Sequence, residues 1–193
     1  MDPKEPVYEL KVCGLTRRLP FVPIDGEKAF ASFVVIGDTE LIERAAARLA
    51  EEIPPVDALL TAEAKGIALA YELSRRLGLK EFIVARKSVK SYMKNPISQS
   101  VHSITTKGEQ HVYLDEADGA KLRGKRVCVV DDVISTGESL RAVEELAGKA
   151  GGTVVCRAAI LAEGEAAERK DILFLEKLPL FQKAADGTYE ECR

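Results

Sequence analysis

The sequence predicts an α/β protein, a doubly wound and mainly parallel sheet with helices on its faces. Three observations predict it. Val127, Cys128, Val129 and Val130 form a short unbroken apolar run, as a strand buried on both faces requires. A helical pattern follows at once, with Leu140, Val143, Leu146 and Ala147 at three- and four-residue steps. An earlier strand–loop–helix unit spans residues 56–77, and strands alternating with helices build such sheets.

In chain order, residues 8–12, 19–24 and 30–36 are β-like runs punctuated by Gly14, Pro20, Pro23 and Gly26. They repeat no βαβ unit, so they are expected as an appendage or as a hairpin closing a sheet edge. A helix follows. Asp38 or Thr39 caps it, Glu40 lies in its first turn, and Leu41, Ile42, Ala45, Ala46 and Leu49 form its inward stripe. Pro54-Pro55 stops it. Residues 56–61 are the next strand, and Ala62-Glu63-Ala64-Lys65-Gly66 is its loop. The helix from Ile67 ends at Gly78.

Residues 81–85 read as a third strand. The stretch 86–110 has little apolar periodicity, and Arg86, Lys87, Lys90 and Lys94 make its start basic. A segment this long in a compact domain is usually functional or disordered. Residues 101–106 and 110–114 alternate like a hairpin, so a protruding hairpin with a mobile tip is expected, serving as a lid. Beyond the central unit, residues 153–161 and 172–178 are strands around a polar helical turn at 165–170. The tail 184–193 lacks core residues and is expected to fray.

The chain has 193 residues, 46% hydrophobic and 31% charged, with a net charge of −3. That suits one domain with a sizeable core and offers no basic field for nucleic acid. No apolar run is long enough to span a bilayer, and the first residues do not read as a signal peptide. Cys13, Cys128, Cys156 and Cys192 are far apart. Zinc ligation and a disulfide framework are not expected, and a reducing cytoplasm is. Neither a Walker loop nor a Gly-x-Gly-x-x-Gly after a strand is present.

The chemistry concentrates at 131–139. Asp131 and Asp132 follow the apolar run, then Ser135, Thr136, Gly137, Glu138 and Ser139 lead into the helix. Parallel sheets bind ligands at the carboxyl ends of their strands. A helix start offers unpaired N–H groups and the positive end of the dipole to a phosphate. The aspartates are placed to accept from sugar hydroxyls or to help hold hydrated Mg²⁺. A ribose 5-phosphate satisfies both halves. A plain βα loop with an N-cap explains either half alone. The loop at 62–66, with one cation and one glycine, is a candidate pyrophosphate grip.

These residues resemble the loop for 5-phosphoribosyl-1-pyrophosphate (PRPP) of type I phosphoribosyltransferases. Element order and loop spacing over roughly 56–162 are similar to their purine branch, the adenine and xanthine enzymes. The resemblance implies that fold in one domain, with 1–37 as a hood-like N-terminal part and 38–183 as the α/β core. It implies transfer of the 5-phosphoribosyl group from PRPP to a purine, adenine first and xanthine close behind. The products would be a nucleoside monophosphate and pyrophosphate, with Mg²⁺ held mainly through PRPP and in part by Asp131 and Asp132. A cytoplasmic homodimer serving purine salvage is implied too.

By the same resemblance, Asp131 and Asp132 meet the ribose hydroxyls and Ser135, Thr136, Gly137, Glu138 and Ser139 cradle the 5-phosphate. Glu63, Ala64, Lys65, Gly66, Arg86, Lys87 and Lys90 bind pyrophosphate, Lys90 also counting as catalytic. Arg17-Arg18-Leu19-Pro20-Phe21 resembles the hood of the adenine enzymes, where Phe21 or Val22 would stack on the base or pack in the hood core. Thr105 stands where adenine enzymes carry a glutamate, as a non-acidic residue does in xanthine enzymes. His102 is a candidate proton relay or a solvated loop residue. A non-catalytic PRPP-sensing regulator is the alternative function.

Overall fold

The computed structural model describes residues 6–24, 26–101 and 110–192. The chain opens with β1 (Val7–Val12), β2 (Leu15–Pro23) and β3 (Lys28–Ala31), followed by α1 (Thr39–Glu52). Next come β4 (Ala58–Ala62), α2 (Ile67–Arg76) and β5 (Ile83–Ala85). A hairpin, β6 (Ile97–Val101) and β7 (Gln110–Leu114), leads to α3 (Glu116–Leu122). Then follow β8 (Arg126–Ile134), α4 (Glu138–Lys149), β9 (Thr153–Glu163), a 3₁₀ turn (Gly164–Glu168) and β10 (Leu173–Leu178). Finally β11 (Leu180–Lys183) and β12 (Tyr189–Glu191) close the chain.

The expected parallel sheet is present, in the order β10-β9-β8-β4-β5. Sequence order runs outward from β4 to β5, then returns past β4 to β8. The reversal lies between β4 and β8, and ligands of such sheets bind at the carboxyl ends beside that point. Apolar layers cover both faces. Leu41, Leu49, Leu69 and Leu73 from α1 and α2 pack with Cys128, Val130 and Ile160 on one. Leu122, Leu140 and Leu146 from α3 and α4 pack with Leu60, Val127 and Val129 on the other. Each of the fully buried leucines contributes about 2 kcal/mol. β8 lies between the two layers, so its ends are held rigidly.

The N-terminal strands do form an appendage, but not by themselves. Their antiparallel sheet runs β1-β2-β3-β11-β12. The tail therefore does not fray as expected. Leu180 pairs with Phe30 and Phe181 with Glu191, while the Tyr189 ring stacks on Phe21 at 4.3 Å. The appendage so includes residues placed by sequence in the core and tail. Arg17 ties it to α1, donating to Asp38 at 2.6 and 3.0 Å and to Glu40 at 3.0 Å. Asp38 also caps α1, accepting from the Leu41 N–H at 3.1 Å. The Arg17 guanidinium holds the Asp38 carboxyl below its usual range.

The described part of the first hairpin strand is 97–101, and the expected strand at 102–106 lies outside the described residues. Helix α3 went unnoticed because it is short, although Asp115 caps it and Glu116 and Asp118 suit its first turn. His102 and Thr105 lie outside the described residues.

Candidate functional site

β8 does not stop at Val130. It runs through both aspartates to Ile134, so Asp131 and Asp132 stand on a strand end and not in a loop. Alternation then separates them. Asp132 is 2% exposed, while Asp131 is half-buried and facing the site. The Asp131 side chain accepts from the Asp132 N–H at 2.8 Å. Burial first, and then the Asp132 carboxylate, push Asp131 up to about 7, against the pull of Lys65.

Asp132 Oδ2 is buried and receives no well-aligned hydrogen bond. Its close neighbour is the Lys65 ammonium at 3.0 Å, an ion pair approached off the hydrogen-bonding direction. Lys65 comes from the loop after β4, across the point where strand order reverses. The acid pair is thus under-compensated by protein, a state that suits hydroxyl donors or a cation from a ligand. Among the described residues no three His, Cys, Asp or Glu side chains gather as a metal site. A cation here would take much of its coordination from a bound molecule.

Gly66 sets how closely the β4 loop approaches β8. A Cβ there would lie 2.3 Å from Thr61 Oγ1, 3.2 Å from the Val130 carbonyl oxygen and 3.3 Å from Asp131 Cα. Thr61 is fully buried, so it has little room to yield. Gly66→Ala is expected to cost about 1–3 kcal/mol. Denaturant unfolding will measure it, and Gly66→Ala combined with Thr61→Ala should recover part of the loss. An unchanged midpoint in the single variant would refute the close fit.

The Glu63–Ala64 peptide is cis. Glu63 is engaged by the basic segment after β5. Its carboxylate accepts from the Lys87 N–H at 2.6 Å and from Arg86 at 3.4 Å, with Lys90 Nζ 3.7 Å away. Burial alone would raise it, but the Lys87 amide, Lys90 and Arg86 outweigh burial and hold it low. An anion so engaged gathers the basic residues beside the loop. Lys90 also donates to Ser88 Oγ at 2.7 Å.

At the start of α4, Gly137 has φ +80° and no side chain caps the helix. The first bond of the helix is Arg141 N–H to the Gly137 carbonyl, 2.8 Å. The preceding amides therefore point out of the helix, and among the described residues that of Glu138 meets only Thr136 Oγ1, at 3.5 Å. Residues 62–65 and 131–137, with Lys87, Ser139 and Leu140, line one cavity of about 220 Å³. The acid pair, the cation loop and the outward amides thus open on a shared space. Arg169, which sequence reading missed, stands at its edge: its guanidinium comes within 2.7 Å of where a Gly137 Cβ would be. It pairs with Asp171 at 2.9 and 2.7 Å.

Phe21 and Val22 are not brought there. The Phe21 ring is engaged by Tyr189 and, edge-on at 4.8 Å, by Phe181. It belongs to the core of the antiparallel sheet, the second of the two places the sequence left open for it. Val22 is exposed. A larger open cleft, about 1260 Å³, lies between that sheet and the 3₁₀ turn. The smaller cavity holds the acid pair and the helix start.

Residues 35–189 match the family model described as a phosphoribosyl transferase domain. An adenine phosphoribosyltransferase of Rhodospirillum rubrum is 32% identical over 148 residues, 75% of this chain and 82% of that protein. HGPRTase-like protein 3 of Haloterrigena turkmenica is 35% identical over 147 residues, 72% of this chain and 74% of that one. The crystal structure of adenine phosphoribosyltransferase from Thermoanaerobacter pseudethanolicus superposes with a TM-score of 0.68 at 23% identity, covering 82% of this chain and 95% of that chain. That of the Trypanosoma brucei enzyme, solved with AMP, pyrophosphate and ribose-5-phosphate, gives 0.58 at 19% identity, covering 77% and 70%.

Proposed function

The chain belongs to the type I phosphoribosyltransferases, on their purine side, and from that premise we propose that it moves the 5-phosphoribosyl group of PRPP onto a purine, adenine foremost. One observation carries the reading: an under-compensated acid pair and a helix-start anion seat open on the same cavity where strand order reverses. The amides of α4 with Ser135, Thr136 and Ser139 take the 5-phosphate, and Arg169 closes that end. Asp131 and Asp132 accept from the ribose hydroxyls. Lys65, Arg86, Lys87 and Lys90 face the pyrophosphate, with Glu63 holding three of them in place.

A purine nitrogen forms a bond to the anomeric carbon as the bond to the pyrophosphate oxygen breaks. Positive charge grows on the ring and negative charge on the leaving group. Asp131 opposes the first and the cations the second, so the protein works by positioning and electrostatics. Asp131 and Asp132 fit a part in holding Mg²⁺ carried mainly by PRPP, since the buried Asp132 oxygen lacks an aligned donor. When bound, Mg²⁺ neutralises charge on the departing pyrophosphate. The same reading makes the protein a cytoplasmic homodimer in purine salvage.

The test is pyrophosphate release from PRPP and Mg²⁺ across a panel of bases, with the nucleotide product identified by mass. One nucleoside monophosphate per pyrophosphate, with a purine only, is the expected result. PRPP binding without release for any base would overturn it in favour of a non-catalytic sensor. Lys90→Ala should raise the KM for PRPP by about tenfold with little change for the base. An unchanged KM would take Lys90 out of the leaving-group site.

A further inference from the structure

Glu144, Arg157, Asp171 and Arg169 form a ring of charges that leaves α4 and returns to it. Glu144, on α4, accepts from the Nε of Arg157, on β9. The same Arg157 nitrogen lies 3.9 Å from Asp171 Oδ2. Asp171 in turn accepts twice from Arg169, from Nε at 2.9 Å and from Nη2 at 2.7 Å. That fork takes one edge of the planar guanidinium. The remaining nitrogen, Nη1, is the one that comes within 2.7 Å of where a Gly137 Cβ would be, at the start of α4. Among the described residues Nη1 makes no hydrogen bond, so its donors are left for a ligand.

Stability is a poor explanation of the ring. Exposed ion pairs add little to it, and the Asp171 and Arg169 side chains are 53% and 34% exposed. Positioning explains it better. A long side chain loses rotamer freedom when it grips an anion. Two parallel bonds to one carboxylate fix both the plane and the direction of a guanidinium beforehand. Arg169 holds the Asp171 carboxyl down at about 2, so the fork stays charged throughout the neutral range. Asp171 occupies the edge away from Nη1, and Arg157 shares its charge, so an anion at Nη1 meets the cation first.

We propose that Asp171 is a positioning residue for the 5-phosphate: it turns Arg169 Nη1 toward the amides of α4, while Arg157 and Glu144 anchor that cation to the same helix. This rests on the transfer reading above and deepens it. Cation and amides then bear on one phosphate with their spacing set before the ligand arrives, which lowers the ordering cost of binding. The 5-phosphate is remote from the anomeric carbon, so the fork acts on affinity more than on turnover.

The test compares wild type, Asp171→Asn, Asp171→Glu, Arg169→Ala and the Arg169→Ala/Asp171→Asn pair. Dissociation constants for ribose 5-phosphate and for pyrophosphate are measured separately, beside KM and kcat for PRPP and the unfolding midpoint. Asp171→Asn should weaken ribose 5-phosphate and raise the KM for PRPP by about five- to tenfold, with pyrophosphate affinity and kcat nearly unchanged. Asp171→Glu keeps a carboxylate that can fork, and should recover most of the loss. In the Arg169→Ala background, Asp171→Asn should add nothing, because its effect passes through the guanidinium. Unchanged ribose 5-phosphate affinity in folded Asp171→Asn would overturn the proposal. So would a full further loss in the Arg169→Ala background, or a lowered unfolding midpoint with KM unmoved, the sign of a purely structural pair. In those cases wild type still binds the sugar phosphate. A wild type that binds no ribose 5-phosphate would instead sink the transfer reading, and this proposal with it.

Discussion

Asp131→Asn is expected to cut turnover by about a hundred- to a thousandfold and, at pH 8, to make the empty protein more stable. Both effects come from one cause. The carboxylate sits on a strand end where burial and Asp132 oppose its charge, pushing it from 3.8 up to about 7. Such a cost is sustained for the ligand and not for the fold. The sign follows from proton binding. Between about pH 4 and 7 the native carboxyl keeps a proton that the unfolded one has released, so stability falls as pH rises through that window. Above it the penalty is complete. The Asn side chain carries no charge and escapes the penalty, by on the order of 1–2 kcal/mol. The two proteins should converge near pH 4. Denaturant unfolding at pH 4 and pH 8, beside steady-state turnover, will check this. A variant less stable than wild type at pH 8, or one with full turnover, would contradict the role.

Gly137→Ala is expected to weaken PRPP binding by about a hundredfold while costing the fold only about 1–2 kcal/mol. Gly137 has φ +80°, a left-handed conformation that an L side chain enters at that cost. The larger effect is local. The turn through Gly137 aims the first amides of α4 outward, and an added methyl would also press on Arg169. Both the amides and that cation face the proposed 5-phosphate seat. The KM for PRPP should therefore rise steeply, while unfolding shifts modestly. A large loss of stability with an unchanged KM would mean that the glycine serves folding alone.

How much could be read beforehand depends on distance along the chain. The apolar run of β8, the helix stripe of α4 and the Asp38 cap are local patterns, and each stands where residue types put it. The acid pair and the helix start were legible for the same reason, because they lie within one strand–turn–helix unit. The tail was not. Its pairing with β3 and the stacking of Tyr189 on Phe21 join residues far apart in sequence, and neither leaves a local period. The contacts of Glu63 with Arg86, Lys87 and Lys90 were not legible, because a carboxylate in a loop does not announce the three basic residues it will gather. Arg169 follows β9 in the chain, but stands beside Gly137 only because the sheet returns that connection to its carboxyl end. The signal that would have found it is topological: every strand of a parallel sheet ends on the ligand side.

The central claim is that the amides at the start of α4 seat the 5-phosphate of the sugar whose hydroxyls the acid pair holds. Amide chemical shifts of Ser139 and Leu140, followed by NMR during titration, test it most directly. Ribose 5-phosphate should move both resonances at saturating concentration, and pyrophosphate alone should leave them in place. Shifts produced by pyrophosphate and not by the sugar phosphate would contradict the account.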